Sequence, residues 1–240
     1  MFMKEKYDEI DAVPYKRYRK PLKWGMIVGG VMAVAIFLFV INLIFPVVNF
    51  NSPPTASVGA FTFTATIKGE FDTKQEAIAH RVSCDCQAFL VSHNDKWLVV
   101  EKVCRKNCGC ITEGRTFSAP AVQLPFANAE QLTLFNTALA TFNSADTIRT
   151  MQEAGKDAAT IVNDINLDYY LVAKEIMLQI EAMTEMPTAF SHLFYALNMQ
   201  MLALIDLMHN RASDNFNYAI DYAIVAITFA QYDLMRALAS

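Results

Sequence analysis

Residues 24–48 contain no charged side chain; Asn42 is their only strongly polar residue, and Pro46 stands near the far end. About 20 apolar residues, rising roughly 1.5 Å each, cross a hydrocarbon core of about 30 Å as a helix. The pattern predicts one transmembrane helix over 24–48. Beyond it the period changes. Phe61, Phe63, Ala65 and Ile67 alternate with Thr62, Thr64 and Thr66, the period-two signature of a half-buried strand, and Gly69 breaks it. Thr73 and Glu76 are spaced as a capping box, followed by Ala77, Ile78 and Val82 on one helical stripe. Two β-rich runs, 88–92 and 97–103, flank a polar link containing Asn94 and Asp95, which reads as a hairpin. The predicted order is strand, helix, strand, strand.

From about residue 128 the spacing becomes helical, with Gly155 and Pro187 the only glycine and proline. Leu132, Phe135, Leu139 and Phe142 form one stripe; Ile161, Ile165, Val172, Ile176, Ile180 and Met183 approximate a second. Two further helices are expected over about 189–208 and 214–238, with Asn210 and Ser213 at the turn between them. His192, Asp206, Asp221, Asp233 and Arg236 lie in these helices. A charge at the centre of a membrane helix costs about 2.5–3.5 kcal/mol, so a water-facing bundle or hairpin is expected rather than further spans.

Charge orients the predicted span. Lys16, Arg17, Arg19, Lys20 and Lys23 precede it with no acid among them, and the far flank opens uncharged. Positive flanks stay in the cytoplasm, which places the N-terminus inside and the remainder outside, in a single-pass cell-membrane protein. A cleaved signal would have a shorter apolar core and small residues at its end. The first 23 residues hold seven basic and four acidic side chains, leaving 13 basic and 20 acidic beyond, about −7. That balance argues against nucleic acid as a partner. The whole chain of 240 residues is 54% hydrophobic and 18% charged, which excludes an intrinsically disordered protein. The expected organisation is a basic tail over 1–23, the span over 24–48, a linker over 49–59, a small α+β module over 60–126 and a helical region over 127–240.

All five cysteines fall in one stretch: Cys84, Cys86, Cys104, Cys108 and Cys110. Outside the cytoplasm disulfides persist, and bonds between the two groups would staple a small module. The alternative is a zinc site built from the same five thiolates, with His80 and His93 nearby; otherwise no cofactor is expected. No phosphate-binding glycine loop, no H-E-x-x-H and no G-x-S-x-G is present. Glu70 and Asp72 read as a solvated cap and His192 and His209 as helix-surface residues, so no catalytic residue is assigned and a non-enzymatic role is expected.

Gly69, Phe71 and Ala77, with Trp97-Leu-Val-Val100 further on, resemble the sporulation-related repeat (SPOR) family, in particular membrane-anchored variants of the Firmicutes type. The resemblance covers about 61–103. It implies a small sheet that binds peptidoglycan glycan strands through one face, in cell division or sporulation. Carried onto this chain, the contact positions it implies are Thr64, Thr66, Phe89, Val91, Trp97 and Val99, with Trp97 either stacking on a sugar ring or packed under the helix. Where the family has a second helix and a fourth strand, this chain has the cysteine segment and a stretch over 117–126 with two prolines. The fold class expected is therefore α+β: one transmembrane helix, a SPOR-like module and a C-terminal helical bundle or hairpin. The alternative function is a structural subunit of an envelope or secretion assembly, oligomerising or binding envelope proteins through the C-terminal helices.

Overall fold

The alternating run becomes β2, Phe61–Phe71, the central strand of a four-stranded antiparallel sheet. The computed structural model describes residues 53–84, 87–105 and 114–240. The basic tail, the predicted span, and Cys86, Cys108 and Cys110 lie outside the described residues; no described helix is long and apolar enough to cross a membrane. After β2 come α1 (Lys74–Ser83), β3 (Phe89–His93), β4 (Lys96–Cys104) and β5 (Arg115–Ala119), in the spatial order β3-β4-β2-β5. The first strand thus sits between the third and the fourth, as in the split β-α-β arrangement. Thr55–Val58, inside the stretch expected to be linker, forms β1 and pairs with β6 (Val122–Pro125).

Local chemistry explains the boundaries. Thr73 Oγ1 accepts from Glu76 N–H at 3.2 Å while Glu76 Oε2 accepts from Thr73 N–H at 3.2 Å, the predicted capping box. Gly69 does not end the strand, which runs through it to Phe71; a Cβ there would lie 2.5 Å from the Phe71 ring, so any larger residue would have to push that ring aside. Asn94 and Asp95 take φ of 51° and 59°, the two left-handed positions of a two-residue hairpin turn. The stretch over 117–126 does not lose its strand: Pro120 follows β5 and Pro125 ends β6, so the prolines bound the strands without interrupting a ladder.

The helical part comprises α2 (Ala129–Thr141), α3 (Ser144–Glu153), α4 (Ala158–Ile165), α5 (Leu171–Glu181), α6 (Thr188–His209) and α7 (Phe216–Ala239). A π-helical turn, Asn166–Tyr170, joins α4 to α5. Its wider winding accounts for the merely approximate stripe across 161–183. The molecule is mixed α+β with a helical C-terminal part. Pro53–Ser240 pack as one unit, and α7 is the reason. It lies across the sheet, touching β2, β3, β4 and β5 as well as α3 and α6. Beneath it Phe63, Ala65, Phe89, Leu98, Val100, Phe117 and Ala119 are at most 3% exposed. The rings of Phe63 and Phe117 stack at 5.0 Å, and Phe229 of α7 meets them edge-on at 5.1 and 5.3 Å. The opposite sheet face carries a smaller cluster, Ala77 of α1 on Ala88 and Val99.

One polar network lies inside the bundle. Gln200 of α6 is fully buried; its Nε2 donates to the Thr141 carbonyl (2.8 Å) and Ser144 Oγ (3.2 Å), and its Oε1 accepts from Thr141 Oγ1 (3.0 Å). These bonds lock the α2–α3 corner to α6. Gln200→Ala is expected to lower unfolding stability by about 2 kcal/mol, because it orphans buried polar groups, and urea denaturation of the full chain measures it.

Candidate functional site

The six positions implied by the resemblance are distributed over both sheet faces. Phe89 and Val91 belong to the core under α7, with the Phe89 ring 4.8 Å from Tyr218. Trp97 and Val99 pack with the cluster under α1, and Val99 is fully buried. Thr64 and Thr66 alternate with buried Phe63 and Ala65, and so share the α1-side face. The structure therefore does not gather these six side chains into one surface. Trp97 is half-buried, with Lys74 Nζ 5.2 Å from its ring centre. What remains open on that face is a strip of hydroxyls: Thr62 and Ser118, bonded at 3.1 Å, beside Thr64, Thr66 and Thr116.

The cysteines that are described, Cys84 at the end of α1 and Cys104 at the end of β4, are both disulfide-bonded. His80 and His93, the two histidines considered with a zinc site, face different surroundings. His80 Nε2 lies 3.1 Å from the Lys68 carbonyl, whereas His93 is buried under α7 with Nδ1 3.2 Å from Asp233 Oδ1. Among the described residues no group of three or more His, Cys, Asp or Glu side chains is placed to hold a metal ion. Glu70 pairs with Arg115 at 2.8 Å and Asp72 with Lys96, so the two neighbouring carboxylates point to separate cations.

Three of the concave surfaces among the described residues bear on function. A cleft of about 470 Å³ opens between the outer strand β3 and helices α6 and α7, lined by Leu90, Val91, Trp97, Tyr195, Met199 and Tyr222 among others. His192 and Asp233 also line it, so one of the two surface histidines and the partner of His93 meet at the same place. A second hollow of about 470 Å³ is charged, with Glu101, Lys102, Arg149 and Asp221 on its walls. Burial pushes the Asp221 carboxyl above its usual range, against the pull of Lys102 and Arg149. The third is a shallow groove along α2 and α5 that includes Leu134 and Leu171.

The Asp233–His93 pair, the charge around Asp221 and helix α3 carry no local signature in the sequence. His93 and Asp233 are 140 residues apart, and only the packing of α7 on the sheet brings them together. His93 alone gave a signal: it continues the inward alternation of Phe89 and Val91.

No family model, curated protein or solved structure matches the chain.

Proposed function

We propose that this chain is a non-enzymatic, single-pass membrane protein of the cell envelope that serves as an assembly subunit, its helical half outside the membrane and self-associating. One observation carries the reading: an uncovered leucine seam. Leu167, Leu171 and Leu178 are 54%, 45% and 53% exposed. The π turn sets Leu167 above Leu171, and seven residues, two helical turns, bring Leu178 into the same line. Leucines in register along one helix are the usual seam of a helix–helix contact between copies.

Binding of peptidoglycan glycan strands is the second reading. The split β-α-β strand order and the open hydroxyl strip along Thr62, Thr64 and Ser118 support it. The coverage of one sheet face by α7 and part of the other by α1 leaves this reading only that strip.

Analytical ultracentrifugation of the full chain in detergent separates the two. A discrete oligomer is expected, converted to monomer by Leu171→Glu with Leu178→Glu while helical circular dichroism is unchanged. A monomer that co-sediments with purified glycan strands overturns the assembly reading in favour of the other.

A further inference from the structure

Strand β3 is an outer strand: β4 pairs with it on one side, and no described strand lies on the other. The turn at Asn94 and Asp95 determines which of its backbone groups face outward. In a two-residue hairpin the flanking pair, here His93 and Lys96, exchanges both hydrogen bonds, and bonded pairs then alternate along the ladder. Val91 and Phe89 are therefore bonded to β4, and the N–H and C=O of Leu90 and Ser92 point away from the sheet. No other described backbone group takes them up.

Natural edge strands are usually blunted by lysine, proline, a bulge or an inward charge. β3 reads Phe-Leu-Val-Ser-His and has no lysine, proline or bulge; its one ionisable residue, His93, turns inward to Asp233 at the turn end of the strand, whereas the opposite edge, β5, begins with Arg115 and stops before Pro120. The unprotected edge also borders the apolar cleft, to which Leu90, Val91 and Ser92 contribute. No lysine or arginine lines that cleft, although Lys74 lies over the outer Trp97 ring; Asp233 is its one carboxylate, and Tyr195, Tyr222 and Phe229 are among its other walls.

We propose that β3 and its cleft take an extended segment of a partner polypeptide. The segment adds to the sheet as a fifth strand, sinks a bulky apolar side chain into the cleft and places a lysine or arginine two residues away against Asp233. The two outward backbone pairs call for a peptide backbone, which a small apolar molecule does not offer. Asp233 Oδ1 lies 3.2 Å from His93 Nδ1, but the side chain is 42% exposed, so its outward oxygen and the electronegative ring faces beside it favour a cation. A second copy fits poorly, because its own β3 arrives with its own α7 over the same face, into the space that α6 walls off here. The site lies apart from the leucine seam on α5, so it stands whether or not the chain self-associates.

The test is selection from a random octapeptide phage library on the full chain in lipid nanodiscs. Enriched peptides are expected to alternate apolar residues with a lysine or arginine. Their affinity should fall about tenfold in Ser92→Pro, which deletes an outward N–H at an edge position that tolerates proline. Asp233→Asn should weaken the basic peptides about fivefold and leave their glutamine analogues unchanged. Independently of any variant, amide exchange at Leu90 and Ser92 should slow when a selected peptide binds. Failure to enrich any peptide overturns the proposal, as does equal binding to both variants. So does slowing of exchange at the β3 edge on raising the protein concentration alone, which would identify a second copy as the occupant.

Discussion

Phe229→Ala is expected to lower the unfolding free energy by about 3–5 kcal/mol, the range for deleting a fully buried aromatic side chain that its neighbours cannot replace. Phe229 is 2% exposed and stands between Phe63 and Phe117 on the sheet side. Both neighbours are held by strand pairing, Phe63 directly opposite Phe117 in the β2–β5 ladder, so they cannot collapse into the void. Edge-to-face ring pairs add about 0.5–1.5 kcal/mol beyond the area they bury. The control is Leu202→Ala on the exposed face of α6, where a change within about 0.5 kcal/mol is expected. Urea titrations of the two variants measure both. A Phe229 effect as small as the control's would mean that α7 does not rest on the sheet.

Arg105→Met is expected to cost about 3 kcal/mol. Arg105 follows β4 and reaches across the molecule: Nη1 donates to the Phe142 carbonyl at 2.7 Å and Nη2 to Gln231 Oε1 on α7. Its guanidinium also lies over the Phe61 ring, 5.3 Å from the centre, and its Nε is 3.7 Å from Asp146. Burial lowers the guanidinium's proton affinity from its ordinary value, with Arg149 adding to the fall and Asp146 opposing it. The group stays charged nonetheless, because arginine starts so high. Methionine fills much of the volume but leaves the Phe142 carbonyl and the Gln231 oxygen without their donor, and each buried group stranded this way costs about 1–3 kcal/mol. Arg105→Lys keeps the charge and loses the fork, so it should recover less than half of the deficit. The same titration reads all three proteins. Equal stability of Arg105→Met and the parent would show that this tie between sheet and helices is not formed.

The elements were legible where periodicity is local. Phe61, Phe63 and Ala65 announce β2 through alternation, Thr73 and Glu76 announce α1 through capping, and the two long C-terminal helices fall within two residues of their expected ends. The π turn was visible only as a stripe that fits imperfectly, since one extra residue per turn shifts the phase without changing the composition. β5 and β6 were obscured by Pro120 and Pro125, whose meaning depends on whether they fall within a ladder or at its end.

The site was less legible, for a different reason. Alternation says that a strand has two faces and does not say which element covers each. Phe89 and Val91 have the same pattern whether they face a ligand or a helix; α7, more than 120 residues later, decides it. The leucine seam and the open β3 edge are likewise properties of what does not pack on them, and Leu171 differs from buried Ile176 only by its position around the same helix.

The covered sheet face, which limits glycan binding to the hydroxyl strip, and the cleft beside β3 both depend on α7 lying over the face that contains Phe63. The most direct measurement is the nuclear Overhauser effect between the ring protons of Phe63 and Phe229, observed in full chain selectively labelled at phenylalanine and assigned with single Phe→Leu variants. With ring centres 5.1 Å apart, a strong cross-peak is predicted. Absence of that cross-peak, with the Phe63 ring broadened instead by added glycan strands, would show the face to be open and would contradict the account.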